Sequence, residues 1–108
     1  GERYPPLVSR AIDLFEREVT RNPRLPEICA KLGTSPTSLT RLFKKHLDQP
    51  PMNYFIGLKI RGAKTLLKSG DMSIKEIAAR LGYRDQLYFS SEFKKRVGLS
   101  PKHYRARS

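Results

Sequence analysis

The chain has one cysteine, few acidic residues and no long apolar run, and each scarcity closes a line of explanation. A single thiol excludes an internal disulfide. With no second cysteine or paired histidine at ligand spacing, a metal site is not expected either. No apolar stretch approaches the length that crosses a bilayer, and no charged-apolar-small leader opens the chain, so the expectation is a soluble intracellular protein with no membrane partner. The alternating pattern of a half-buried strand is also missing, which leaves helices as the building material. His46 and His103 fall in helical stretches with no acid or nucleophile at matching spacing, and no glycine loop could cradle a phosphate. Catalysis and cofactors are accordingly not expected.

The shortage of acid has a positive side. Against 10 Asp+Glu stand 22 Lys+Arg, a formal charge of +12, which points to a polyanionic partner. Residues 1–54 carry 9 basic and 6 acidic side chains (+3) and residues 55–108 carry 13 and 4 (+9), so phosphate contacts should weigh toward the second half. At 108 residues the chain is one domain's worth, or two small lobes that must lean on a shared element. Gly1-Glu2-Arg3 reads as a cut into a longer chain, and an upstream domain is expected.

A helix-turn-helix pattern occurs twice. Pro26-Glu27-Ile28-Cys29-Ala30-Lys31-Leu32-Gly33 runs on to Leu42-Phe43-Lys44-Lys45; Lys75-Glu76-Ile77-Ala78-Ala79-Arg80-Leu81-Gly82 runs on to Glu92-Phe93-Lys94-Lys95. The offset grows from 49 to 50 between the glycine and the phenylalanine, then holds through Pro51/Pro101 and Tyr54/Tyr104. One extra residue therefore sits in the second turn or at the start of the helix after it. Two such units in a basic chain suggest two recognition helices meeting successive stretches of DNA groove. Cys29 stands where the second copy has Ala78, as a small buried filler. Tyr54 and Tyr104 share a packing role.

Helical periodicity places the elements. Val8, Ile12, Phe15 and Val19 mark an opening helix from about Pro6 to Arg21, ended by Asn22-Pro23. A short helix from Pro26 to Leu32 is closed by Gly33. Ser35-Pro36 caps and starts the next, which turns Leu39, Leu42, Phe43 and Leu47 inward and stops at Pro50-Pro51. The longest runs from Met52 to Ser69, with Gly57 and Gly62 inside it as sites of close packing. Its 18 residues give a rod of roughly 27 Å, near the ~34 Å turn of B-DNA. Ser73 and Glu76 form a capping box. Asp85 caps a helix to about Val97, and Ser100-Pro101 starts a last one. The organisation expected is a first lobe at 1–51, a linker helix at 52–70 and a second lobe at 71–108.

The string from Leu81 through Phe89-Ser90-Ser91-Glu92-Phe93-Lys94-Lys95-Arg96-Val97-Gly98-Leu99-Ser100-Pro101 to Arg105, with Lys59-Ile60-Arg61-Gly62-Ala63 before Leu66-Leu67, closely resembles the AraC/XylS family of bacterial transcription regulators. Roughly residues 8 to 107 fit that family's DNA-binding domain. The resemblance implies an all-α fold of seven helices in two helix-turn-helix lobes joined by a long helix, acting on double-stranded DNA in the bacterial cytoplasm, at the nucleoid. It also implies an upstream effector-binding or dimerisation domain, and contact with RNA polymerase in the full protein.

The outward residues in the first turns of a recognition helix meet base edges. In the first lobe these are Thr37, Ser38, Thr40 and Arg41, with Arg41 suited to guanine and the threonines to a base edge or a thymine methyl. In the second they are Gln86, Leu87, Tyr88 and Ser91, with Gln86 suited to adenine. Lys44, Lys45, Arg84, Ser90, Lys94, Lys95, Arg96, Lys102 and Arg105 are phosphate candidates. Members of the resembled family commonly have arginine in place of Ser91 and a small polar residue in place of Leu87, so the second lobe could anchor on phosphate rather than read bases. The competing readings are a nonspecific or architectural nucleic-acid binder, and a protein-interaction module that has lost DNA binding.

Overall fold

A computed structural model describes residues 4–108. Seven helices follow in order: α1 (Pro6–Arg17), α2 (Leu25–Leu32), α3 (Pro36–Leu47), α4 (Pro51–Ser69), α5 (Ile74–Arg80), α6 (Gln86–Val97) and α7 (Pro101–Arg107), with no strand among the described residues. The chain forms two compact units, Gly1–Leu58 and Lys59–Ser108, whose boundary falls inside α4.

In the first unit, apolar residues from four helices close a single core. Val8, Ala11 and Phe15 of α1 meet Ile28 and Cys29 of α2, Leu39 and Phe43 of α3, and Phe55 and Leu58 of α4. The Phe15 ring is the hub, with centroids 5.1 Å from Phe55, 5.9 Å from Phe43 and 6.4 Å from Tyr54. α1 stops at Arg17, a turn short of the expected Arg21. The Glu18 amide donates to both the Leu14 and Phe15 carbonyls at 3.0 and 3.1 Å, which tightens the last turn. The Glu18 carboxylate accepts a hydrogen bond from Lys31 Nζ at 2.8 Å, and that bond holds this buried carboxyl below the usual range.

Gly33 ends α2 in the left-handed region at φ 68°, as expected. α3 instead ends on Asp48, at φ 62°, before the two prolines are reached. Pro51 does not stop a helix: it opens α4 and is buried, because a proline at the first helical position loses no hydrogen bond.

The second unit builds the same motif with a smaller apolar core. Ile60, Ala63 and Leu67 of α4, Ile77 and Ala78 of α5, Leu81, and Phe89 and Phe93 of α6 are buried. Ser73 Oγ accepts from the Glu76 amide at 3.0 Å and Glu76 Oε1 from the Ser73 amide at 2.9 Å. The bond from the Ser73 amide, and then the Ser73 hydroxyl beside the carboxylate, hold the Glu76 carboxyl below the usual range. The repeat is visible in the rings. Tyr54 meets Phe43 edge-on at 5.8 Å and 68°, and Tyr104 meets Phe93 edge-on at 5.5 Å and 73°. The close packing expected at Gly62 is not found, since a Cβ there would lie 3.6 Å from Leu81 Cδ2, an ordinary contact.

Candidate nucleic-acid interface

α3 starts where Ser35 Oγ accepts the Ser38 amide at 3.1 Å and Pro36 takes the first helical position. Leu39 and Phe43 point inward with no exposure. Helical spacing then leaves Thr37, Thr40, Arg41 and Lys44 on one outward stripe at i, i+3, i+4 and i+7. Together with Pro36 they line a single surface depression. Thr37, Arg41 and Lys44 are exposed and Thr40 is half-buried. Ser38 is exposed, and its hydroxyl accepts from Ser35 Oγ at 3.0 Å, so part of its capacity is used in the cap. Lys45 is exposed beside the stripe.

α6 starts on Asp85, whose Oδ1 accepts the Leu87 amide at 2.7 Å. Phe89 and Phe93 face in, and the outward stripe at the same spacing is Leu87, Ser90, Ser91 and Lys94. These are the residues 50 positions after Thr37, Thr40, Arg41 and Lys44. Gln86, Leu87, Tyr88, Ser91 and Lys94 are exposed and Ser90 is half-buried. Arg84, Lys95, Arg96 and Lys102 are also exposed, where a phosphate could reach them.

Arg105 departs from expectation. Its Nε donates to the Leu67 carbonyl at 3.0 Å and its Nη2 to the Met72 carbonyl. Two guanidinium nitrogens are thus spent bracing α7 to the end of α4 and the turn after it. The default reading of an arginine as a surface charge fails here because helix-end carbonyls need donors.

A polar cluster behind α6 was not anticipated. Lys59, 3% exposed, donates from Nζ to the Leu81 carbonyl at the end of α5, and the same nitrogen lies 5.5 Å from the centre of the Tyr83 ring. The Tyr83 hydroxyl donates to Glu92 Oε1 on α6. Burial pulls the Lys59 amine down to about 8, against the opposing pull of the Glu92 charge. Burial, then the bond to Glu92, push the Tyr83 phenol up. Lys59 and Glu92 therefore bear on the turn and on α6 from behind its outward stripe. One signal was available: Lys59 lies on the i, i+4, i+8 line with Ala63 and Leu67, the buried stripe of α4.

Two basic units, each ending a short helix in a turn and capping a second helix that presents an outward stripe, define a double helix-turn-helix domain. The family described as helix-turn-helix domain matches residues 28–107. The HTH-type transcriptional regulator CdhR of Pseudomonas aeruginosa is 32% identical over 80 residues, 74% of this chain and 24% of its own length. The HTH-type transcriptional activator RhaR of Yersinia pseudotuberculosis is 32% identical over 83 residues, 77% of this chain and 29% of its own. The solved C-terminal domain of AraT, a response regulator from Geobacillus stearothermophilus, matches with a TM-score of 0.94 at 33% identity, covering 99% of this chain and 89% of that one. The chain belongs to the AraC/XylS family of transcription regulators, as a DNA-binding domain of that class. It spans less than a third of the length of the two regulators compared.

Proposed function

We propose that the chain binds double-stranded DNA in a sequence-specific manner to regulate transcription, with the first turns of α3 and α6 entering successive major-groove segments. The observation that supports this best is the pair of repeat-equivalent outward stripes, 37/40/41/44 and 87/90/91/94, each at the start of a capped helix. Arg41 makes the bidentate contact to guanine and Gln86 pairs with adenine. Lys44, Lys45, Arg84, Ser90, Lys94, Lys95, Arg96 and Lys102 hold phosphates and set the register. The longer protein carries an effector-binding or dimerisation domain and touches RNA polymerase when it activates, working in the bacterial cytoplasm at the nucleoid. The domain's role is binding rather than catalysis.

Selection of bound sequences from random duplexes tests this. Two enriched blocks are expected about one helical turn apart, one relaxed by Arg41→Ala and the other by Gln86→Ala, each at a cost of about 1–3 kcal/mol. A single block sensitive only to Arg41→Ala would reduce the second lobe to a phosphate clamp. No enrichment at moderate salt would leave a nonspecific binder.

A further inference from the structure

Leu87 and Tyr88, the large apolar side chains left exposed at 77% and 63%, are neighbours in the first turn of α6. Leucine has no hydrogen-bonding atom, so it cannot read the donor and acceptor pattern of a base edge. In the major groove one apolar group distinguishes base pairs, the C5 methyl of thymine. We propose that Leu87 is a thymine-methyl reader, with Tyr88 as the lateral wall of its contact. The proposal rests on the reading of α6 as a recognition helix and names what that helix recognises.

The geometry holds the pair in place. Asp85 Oδ1 fixes the Leu87 amide at 2.7 Å, which sets the direction of the first turn. The Tyr88 ring lies against Tyr83 at 6.1 Å, and Tyr83 is itself held by Phe89 at 5.2 Å and by its hydrogen bond to Glu92. Leu87 heads the stripe that continues through Ser91 to Lys94, and its counterpart in the first lobe, Thr37, also presents a methyl group. The surroundings favour nucleic acid over an apolar protein partner: Arg84 in the turn before α6 and Lys94, seven residues after Leu87 on the same face of α6, are exposed, cations suited to phosphates. With Ser91 where the first lobe has Arg41, the second lobe also lacks the guanine-reading arginine. The second half-site is therefore rich in A·T pairs, with Gln86 on adenine and Leu87 on a thymine.

The test uses this chain and a duplex selected by it, replacing each thymine in turn by deoxyuridine, which removes only the methyl. At one or two positions deoxyuridine should weaken binding about fourfold, the value of one buried methyl. Leu87→Ala should weaken the thymine duplex by a similar factor and remove the difference between thymine and deoxyuridine at those positions alone. Because Leu87 is exposed, the variant keeps its fold, checked by its helical circular dichroism. Equal binding of every deoxyuridine duplex, or a deoxyuridine penalty that survives in Leu87→Ala, overturns the proposal while leaving sequence-specific binding intact. A Leu87→Ala variant that binds the selected duplex as tightly as the parent would assign the patch to a protein partner and overturn it as well. Failure to enrich any sequence would sink the broader reading with it.

Discussion

Leu42 and Phe55 of the first lobe stand where the second has Glu92 and Arg105, while Arg41 and Thr37 stand where it has Ser91 and Leu87. The two lobes have exchanged chemistry between inside and outside. In the first, Phe55 stacks on Phe15 at 5.1 Å and Leu42 packs on the apolar core, and the polar residues face out. In the second, Glu92 accepts from Tyr83 and Arg105 donates to two carbonyls, and an apolar pair faces out. One backbone motif accepts both arrangements because the buried polar groups find partners. Among the described residues no buried side-chain nitrogen or oxygen lacks one. The apolar version packs without directional bonds at these positions, and the polar version is geometrically stricter, since hydrogen bonds weaken steeply with angle.

The sharpest way to break this contrast is Phe15→Ala, which removes the ring that three others meet. A loss of about 3–5 kcal/mol is expected, comparable to the stability of a small domain. The chain has no tryptophan, so unfolding is best followed through the tyrosine ring signals of Tyr54 and Tyr104 by NMR in urea. Tyr54 should lose its native environment at lower urea than Tyr104. Identical midpoints would show that the lobes melt as one and that their different cores are not separately felt.

Next in size is a pH effect that originates in the second lobe. Lys59 titrates near 8 when folded and at 10.5 in its ordinary state, so between those values the unfolded chain binds more protons and stability rises with pH. The gain is absent below about pH 8, where the amine is charged in both states. Above pH 10 Tyr83 opposes it, because its raised phenol pKa favours folding only while the phenol is protonated. Urea midpoints for Tyr104 should therefore climb from pH 8 to 10, by on the order of 2 kcal/mol, and Lys59→Met should flatten the climb. A flat profile in the parent would mean that Lys59 is solvated in solution.

The smallest effect sharpens the contrast from the side of α4. Gly62→Ala gains helix propensity of about 0.5–1 kcal/mol and adds a methyl in ordinary contact with Leu81. A rise of a few degrees in the melting temperature is expected; a fall would mean that Leu81 cannot accommodate the added atom.

Much of the fold was legible because its signals are local. Ser35-Pro36, Ser73 with Glu76, Asp85, and Ser100-Pro101 each cap a helix through atoms two or three residues apart, and all four start helices as expected. The outward stripes follow from spacing alone. What escaped was tertiary or conformationally unusual. Glu18 ends α1 early while tied to a lysine 13 residues on, and Asp48 takes a left-handed conformation that sequence assigns first to glycine or asparagine. Charge makes Arg105 a phosphate candidate and gives Lys59 no role beyond its place in the α4 string, whereas their places are decided by carbonyls 33 to 38 and 22 residues away. The repeat contained the hint, because Arg105 aligns with a fully apolar core position, Phe55.

Cys29, 2% exposed in the first core, has its thiol pushed up by burial. A thiol so placed is a poor nucleophile and is shielded from alkylating reagents until the helices around it part. The chain thus carries a single built-in clock: the rate at which Cys29 is labelled counts the openings of the first lobe, and any DNA that binds this lobe should slow that count.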